Sequence, residues 1–224
     1  MKWILTFLFL ATRFCSAELC WEDYKQHTLA HQPEIMGWCT LEKAEKMMEL
    51  IHDTHPQLCV EIGVFGGSSI YPTAAALRFF KKGVVYAIDP WAHQECLEGY
   101  SSTDVNALWW EKVDLDEVYR YFNGMLQHYN LIHFCSVLRM SSENALGRFQ
   151  NESIDVLHID GNHSEEAALS DVQMFLPKVK KGGYIWFDDA NWSTTRKAVS
   201  YLREQCILET DRSIIPACLL FRKP

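Results

Sequence analysis

Residues 59–69, with the sequence CVEIGVFGGSS, decide the fold of this chain of 224 residues. A short apolar run ends in a carboxylate and glycines, and an alanine-rich helical pattern follows through residues 74–77. This pattern is typical of a buried parallel strand, a tight turn and a helix. Glycines let the backbone approach a ligand closely, and N–H groups at a helix start attract polar or anionic groups. The turn is therefore a predicted ligand site, lined by Glu61, Gly63, Gly66, Gly67 and Ser68.

A second strand is predicted at residues 84–88, and it ends at Asp89. In a doubly wound sheet, an acid at the tip of the second strand usually holds a ribose diol. Asp89 and the glycine turn together indicate a cofactor that contains adenosine. A dinucleotide-binding turn needs G-x-G-x-x-G, whereas residues 61–69 have E-x-G-x-x-x-G-x-S. This difference disfavours an NAD-dependent oxidoreductase.

These two segments carry a family resemblance. E-x-G-x-x-x-G-x-S resembles motif I of the class I S-adenosylmethionine-dependent methyltransferases, and Ala-Ile-Asp-Pro-Trp at residues 87–91 resembles their second motif. The resemblance extends over residues 58–221. It implies a Rossmann-like, doubly wound α/β fold with a mainly parallel seven-stranded sheet and an antiparallel C-terminal hairpin strand. It also implies that the cofactor is S-adenosylmethionine.

Periodicity places further elements along the chain. Helical patterns cover residues 20–54, 68–80, 105–129 and 165–176, and strand patterns cover residues 131–136, 154–159 and 184–187. Residues 206–210 and 218–221 fit the terminal hairpin. Residues 57–224 are thus predicted to form the methyltransferase domain. Residues 18–56 are predicted to form a helical lid that braces the cofactor edge, or a helical segment that simply covers the sheet.

Two further residues are predicted to contact the cofactor. Trp91 opens a loop at residues 91–100, where its ring would stack on adenosine or would fill the loop hydrophobically. Ser141 begins a short capped helix after the third strand, and the family resemblance implies that it contacts adenine. The family often has Asp at the position of Met140, so this chain departs from the family pattern beside Ser141.

Three acids follow the last two predicted parallel strands: Asp160, Asp188 and Asp189. The carboxyl ends of parallel strands meet at the ligand-binding edge, so these acids should converge near Glu61 and Asp89. Clustered carboxylates repel one another unless protons or a cation neutralise them. Oxygen ligands suit Mg²⁺, Ca²⁺ or Mn²⁺ better than zinc. The alternative is that Asp188 and Asp189 only cap the next helix.

The positions of these acids resemble the metal ligands of divalent-metal O-methyltransferases of the catechol type and the macrolide or sugar type. The resemblance implies magnesium-assisted methyl transfer to a hydroxyl of a small molecule or glycan, with Asp160, Asp188 and Asp189 on the ion. Asp160 would also border the cofactor. His163 takes the position of the catechol-type base, and histidine suits proton abstraction near neutrality. The alternative for His163 is a solvent-facing ring at a helix start.

Composition and charge disfavour other classes. The chain is 48% hydrophobic with a formal net charge of −8, so it lacks the basic balance of a nucleic-acid binder. The eight cysteines include no C-x-x-C pair, and two of them, Cys59 and Cys135, lie in apolar strand patterns. Neither a zinc site nor a disulfide framework is therefore predicted. The sequence does not identify the acceptor or the oligomeric state.

The N-terminus has the pattern of a secretory signal. Lys2 precedes an apolar run at residues 3–11, and small residues end at Ala17. Residues 1–17 are therefore predicted to be a signal peptide, with an apolar helix or an overlong start as alternatives. The run is too short for a stable membrane span. Export conflicts with the cytoplasmic methyl-donor supply that the resemblance implies, so a non-catalytic or specialised exported binding protein is the alternative function.

Overall fold

A computed structural model describes residues 19–224 of the chain. The predicted signal peptide at residues 1–17 lies outside the described residues. The strands are β1 (Leu58–Ile62), β2 (Val84–Ile88), β3 (Cys135–Leu138), β4 (Ile154–Ile159), β5 (Val179–Phe187), β6 (Ile207–Leu208) and β7 (Leu219–Arg222). The helices are α1 (Trp21–His31), α2 (Leu41–Thr54), α3 (Ile70–Phe80), α4 (His93–Leu97), α5 (Val105–Trp110), α6 (Leu115–His128), α7 (Ser142–Ala145), α8 (Glu165–Phe175) and α9 (Arg196–Gln205).

The strands form a seven-stranded sheet in the order β3-β2-β1-β4-β5-β7-β6. β1 pairs in parallel with both β2 and β4, and β5 pairs in parallel with β4. β7 runs antiparallel to β5 and β6. This topology confirms the predicted doubly wound sheet with its antiparallel C-terminal hairpin. Strand order reverses between β1 and β4, so the predicted ligand edge lies at the topological switch point.

Both faces of the central strands are buried, which explains why their sequences are nearly continuous apolar runs. Cys59 contributes to the core beneath α2, α3 and α6, whereas Val60 and Ile62 contribute to the core beneath α8 and α9. Each aliphatic side chain of this kind stabilises the fold by about 1.5–3 kcal/mol when it is fully buried. The apolar run that ends at the glycine turn is thus held rigidly on both sides.

The predicted helix over residues 105–129 is wrong as a single element, because α5 and α6 are separate. Asp114 interrupts the aromatic periodicity, and its side chain accepts a hydrogen bond from the Glu117 N–H at 2.9 Å. An aspartate in this position satisfies a free N–H group of the first turn and so begins a new helix. The break places α5 beside the glycine turn and leaves α6 to cover the sheet.

The helical pattern over residues 20–54 is also divided. A 3-10 helix (Gln32–Glu34) follows α1, and regular helix ends at Ile35, whose backbone is extended with a ψ of 127°. Thr40 then caps α2 by accepting a hydrogen bond from the Lys43 N–H at 3.2 Å. This cap fixes where α2 begins and hence which of its side chains face the sheet.

Two of the predicted segments differ from the structure in detail. The predicted strand at residues 131–136 begins later, as β3, because Phe134 N–H bonds to the Leu131 carbonyl in a turn at 2.9 Å. The predicted loop at residues 91–100 contains the short helix α4.

Within residues 19–224, none of the helices combines the length and apolar character needed to cross a membrane.

Candidate active site

The glycine turn after β1 brings the ends of two central strands into contact. Gly63 has a φ of +79°, and a Cβ there would lie 2.0 Å from the Asp160 carbonyl oxygen. Gly67 has a φ of +91°, and its Cβ would lie 2.6 Å from the Phe122 ring. Only glycine fits either position. The turn is therefore packed closely against the end of β4 and against α6.

The segment before β1 closes one side of this turn. Ser68 Oγ accepts a hydrogen bond from the Cys39 N–H at 3.1 Å, and Gln32 Nε2 donates to the Ser68 carbonyl at 2.8 Å. A Cβ on Gly66 would lie 2.5 Å from the Met36 carbonyl oxygen. Gly66 and Ser68 thus contact the N-terminal segment directly.

Asp89 connects the end of β2 to the same turn. One carboxylate oxygen accepts hydrogen bonds from the Val64 and Phe65 N–H groups, and the other accepts from the Trp91 N–H at 2.7 Å. Burial raises the pKa of Asp89, and these backbone hydrogen bonds oppose that increase. A carboxylate has about four lone-pair sites, so capacity for a further donor remains.

Trp91 and Ser141 both have protein partners. The Trp91 ring is 2% exposed and packs between Tyr119 and Phe122, with centroids at 4.9 and 5.3 Å. This packing corresponds to the alternative of hydrophobic filling, because the ring faces the core. Ser141 Oγ caps α7 by accepting from the Asn144 N–H at 3.3 Å, and its hydroxyl proton is left for another acceptor.

Glu61 lies beneath the turn and is only 1% exposed. It accepts a hydrogen bond from Ser69 Oγ at 2.5 Å, and its other oxygen is 3.0 Å from His158 Nδ1. Glu61 and His158 are register partners on adjacent strands, which is why their side chains share one face. His158 Nε2 lies 3.7 Å from Asp188. A polar chain thus runs under the site from the turn to the predicted acids.

Lys43, which the sequence analysis did not identify as a site residue, lies among those acids. Its side chain is 5% exposed, and Nζ is in direct contact with Asp188 Oδ2 and 3.7 Å from Asp160 Oδ2. The available signal was its position on the apolar face of α2, in step with Met47 and Leu50. A lysine on a buried face requires counter-charges nearby.

The opposite charges of Lys43 and Asp160 stabilise each other, so that both side chains are ionised. Burial alone would lower the pKa of Lys43, but the neighbouring Asp160 carboxylate raises it above its ordinary value. Burial would likewise raise the pKa of Asp160, but Lys43 and His163 lower it to about 2. The ammonium and the Asp160 carboxylate are therefore both charged at neutral pH.

His163 and Asp189 form the outer part of the cluster. His163 Nε2 lies 3.2 Å from Asp189 and 3.6 Å from Asp160. Burial lowers the pKa of His163, but both carboxylates raise it, with a net increase. Burial raises the pKa of Asp189, although His163 opposes this effect. The His163 ring is partly exposed, so it can meet a ligand at the strand ends.

The three predicted metal ligands are divided between two groups of possible ligand atoms. The inner group consists of His158, Asp160 and Asp188, and the outer group consists of Asp160, His163 and Asp189. The Lys43 ammonium contacts Asp188 in the inner group. A metal ion on all three aspartates does not fit this arrangement, because the ammonium takes the place of the ion beside Asp188.

Comparisons with known proteins agree with the fold. A family model described as a methyltransferase domain matches residues 60–190, more than half of the chain. An uncharacterized protein of Sinorhizobium fredii is 25% identical over 143 residues, which are 63% of this chain but only 14% of that protein. The chain therefore spans a small part of that relative.

Solved structures resemble the chain over most of its length. PaMTH1, a methyltransferase of Podospora anserina with SAH bound, has a TM-score of 0.62 at 14% identity, covering 90% of this chain and 88% of that chain. The O-methyltransferase NovP has a TM-score of 0.64 at 20% identity, with coverage of 84% and 83%. A methyltransferase from Geobacter sulfurreducens has a TM-score of 0.56 at 16% identity, with coverage of 90% and 87%. At these identities the similarity concerns the fold.

Proposed function

Because this chain belongs to the methyltransferase-domain family, we propose that it transfers the methyl group of S-adenosylmethionine to a hydroxyl of a small molecule or glycan. The observation that carries this proposal is the glycine turn at the switch point, held by Asp89 through the Val64 and Phe65 N–H groups. Ligands of open α/β sheets bind in this crevice.

The cofactor would lie across the ends of β1 and β2. Gly63, Gly66, Gly67 and Ser68 would shape the turn that holds it, because they pack against the neighbouring backbone and side chains. Asp89 has capacity left for a ribose hydroxyl. The bound SAH named for PaMTH1 supports this assignment. Glu61 would act from below, by fixing Ser69 and His158 rather than through an exposed carboxylate.

Methyl transfer then needs alignment and removal of one proton. When bound, S-adenosylmethionine would supply an activated methyl group, which the acceptor oxygen would take from the sulfonium with S-adenosylhomocysteine as the leaving group. The protein must hold the acceptor oxygen in line with the methyl group. His163 is the proposed base, because its ring is partly exposed beside Asp160 and Asp189 and could accept the hydroxyl proton in its neutral form.

The magnesium assistance predicted from the sequence remains a prediction. It requires Asp160, Asp188 and Asp189 around one ion, whereas Lys43 contacts Asp188. The proposed reaction therefore includes no step through a metal ion.

Exposed aromatic rings beside the turn supply a surface for the acceptor. Trp38 is 68% exposed and stacks on Phe65 at 4.8 Å, and Trp109 meets Trp38 edge-on at 5.5 Å. Phe65 belongs to the proposed cofactor turn, so these rings would border a cofactor bound there. Tryptophan faces bind flat apolar surfaces, and the proposal is therefore an acceptor with such a face next to its hydroxyl.

Calorimetry with S-adenosylhomocysteine and with NAD, followed by a methyl-transfer screen over phenols, glycans and small alcohols, tests this function. Micromolar or tighter binding of S-adenosylhomocysteine, no binding of NAD and labelled product would support the proposal. Binding of NAD alone would overturn it. Binding of S-adenosylhomocysteine without product on any acceptor would favour the alternative of a non-catalytic binding protein.

A further inference from the structure

The contact between α2 and the strand ends places a fixed positive charge inside the acid cluster. Lys43 extends from the first turn of α2, and its ammonium contacts Asp188 and lies 3.7 Å from Asp160. These two aspartates follow β4 and β5, which are neighbouring parallel strands. A divalent ion bridging the same two carboxylates would occupy the space that the ammonium takes.

The surroundings of Lys43 favour the ammonium over an added ion. A metal ion in the inner group of His158, Asp160 and Asp188 would stand against the ammonium, and like charges at contact distance repel strongly in a buried site. The outer group of Asp160, His163 and Asp189 shares Asp160, whose Oδ2 lies 3.7 Å from the Lys43 ammonium. The chain itself thus supplies one positive charge beside Asp160 and Asp188.

We infer that Lys43 replaces a divalent cation in this cluster, as a positioning residue for Asp160 and Asp188, and that methyl transfer proceeds without a bound metal ion. This inference rests on the proposed function. Lys43 is buried and acts through the two carboxylates: it fixes their orientation at the strand ends and offsets their repulsion. The cluster that His163 and the acceptor contact then has the same charge whether or not a divalent metal ion is available.

Binding of Mn²⁺, measured by electron paramagnetic resonance on the whole chain, tests the inference without any acceptor. The wild-type chain should bind no Mn²⁺ below millimolar concentration. Lys43→Met should gain one site at least about tenfold tighter than any in the wild type, because the donors of His158, Asp160 and Asp188 lie within 4.8 Å of one another. Adding Asp188→Asn to that variant should remove the new site.

Lys46→Met is the matched control, since Lys46 is on the same helix and donates a hydrogen bond to the Asp211 carbonyl at 3.3 Å. It should bind Mn²⁺ no better than the wild type, and Lys43→Arg, which keeps the charge, should behave likewise. Wild-type binding at micromolar Mn²⁺ that Asp188→Asn abolishes would overturn the inference. So would a folded Lys43→Met chain that gains no site. If Lys43→Met does not fold, the wild-type and Asp188→Asn titrations still decide the question.

Parallel calorimetry with S-adenosylhomocysteine separates the two proposals. Failure to bind it would reject the proposed function, while the Mn²⁺ titrations would still report on Lys43. If S-adenosylhomocysteine binds and product forms only with added divalent metal, the proposed function stands and the role of Lys43 is rejected. Product formation at an unchanged rate after treatment with a chelator is the expected result.

Discussion

Asp89 accepts a hydrogen bond from the Phe65 N–H at 3.0 Å, so the second strand holds the turn that follows the first. Phe65 has a φ of +51°, a left-handed conformation that costs a non-glycine residue about 1–2 kcal/mol. The bonds from Phe65 and Val64 to one carboxylate oxygen offset this cost. The shape of the proposed cofactor turn therefore depends on an acid 24 residues further along the chain.

Replacing Asp89 should disturb stability and cofactor binding together. Asp89→Ala leaves the Val64, Phe65 and Trp91 N–H groups without their acceptor, and each unsatisfied buried donor costs about 1–3 kcal/mol. We expect the free energy of unfolding to fall by at least about 2 kcal/mol and the affinity for S-adenosylhomocysteine to fall at least about tenfold. Urea denaturation and calorimetry measure these quantities. Asp116→Ala, at an exposed acid, is the control, and equal effects in both variants would contradict the expectation.

Two glycines allow the free-energy cost of backbone strain to be measured separately from the cost of a steric collision. Gly63 and Gly182 have similar φ values of +79° and +74°, but only at Gly63 would a Cβ meet backbone, at 2.0 Å. Gly182→Ala should cost about 1–2 kcal/mol for its left-handed conformation alone. Gly63→Ala should cost clearly more in urea denaturation and should abolish binding of S-adenosylhomocysteine. Equal costs would show that the ends of β1 and β4 are not in close contact.

Local patterns predicted the fold because each was consistent with burial on both faces of a parallel sheet. The glycines at Gly63 and Gly67 mark the turn in the sequence, and Asp89 and Asp160 end strands whose apolar runs are unambiguous. The break before α6 was missed because aromatic periodicity outweighed the capping signal of Asp114. Short-range signals of this kind compete, and only the packed structure shows which one prevails.

The role of Lys43 was not predictable in the same way. Its contact with Asp188 joins residues 145 positions apart and depends on how α2 packs over the sheet edge. The sequence shows only that a lysine shares a helix face with Met47 and Leu50. Trp91 is a similar case, since the direction of its ring depends on Phe122 of α6. The packing of α2 thus places the Lys43 ammonium against Asp188, one of the three predicted metal ligands.

The exposed ring of Trp38 should affect the acceptor and not the cofactor. Trp38→Ala removes the ring that stacks on Phe65, and an aromatic contact of this kind contributes about 0.5–1.5 kcal/mol beyond its buried area. We expect KM for a flat apolar acceptor to rise several-fold, with unchanged binding of S-adenosylhomocysteine. Ile207→Ala, at an exposed residue of β6, is the control. Reduced cofactor affinity with unchanged KM would contradict an acceptor role.

His163 should affect the chemical step. His163→Gln keeps a polar side chain but cannot take up the acceptor proton, and general base catalysis contributes about 10²–10⁴-fold to a rate. We expect kcat on an acceptor found in the screen to fall by about 10²-fold or more, with unchanged affinity for S-adenosylhomocysteine. His133→Gln, at an exposed histidine, should leave kcat unchanged. A rate for His163→Gln close to that of the wild type would reject the base.

Asp171 should make stability depend on pH in the direction opposite to most acids. It is 6% exposed on α8, and burial raises its pKa to about 6, although Ser142 Oγ donates a hydrogen bond to it. The unfolded chain ionises this group near its ordinary pKa of about 4, whereas the folded chain keeps its proton up to about pH 6. Unfolding therefore releases a proton in this window, and the contribution of Asp171 to stability falls as pH rises through it.

Asp171→Asn should remove this cost, which is about 3 kcal/mol at most above pH 6 if the amide keeps the hydrogen bond from Ser142. Relative to the wild type, the variant should gain about 1 kcal/mol at pH 4.5 and should come close to its full gain by pH 7. Urea denaturation at pH 4.5, 5.5, 6.5 and 7.5 measures the difference. Asp116→Asn is the control: Arg139 lowers the pKa of Asp116, so its loss should give no gain as pH rises. A gain for Asp171→Asn that is constant across these pH values would show that the buried carboxyl does not titrate in this window.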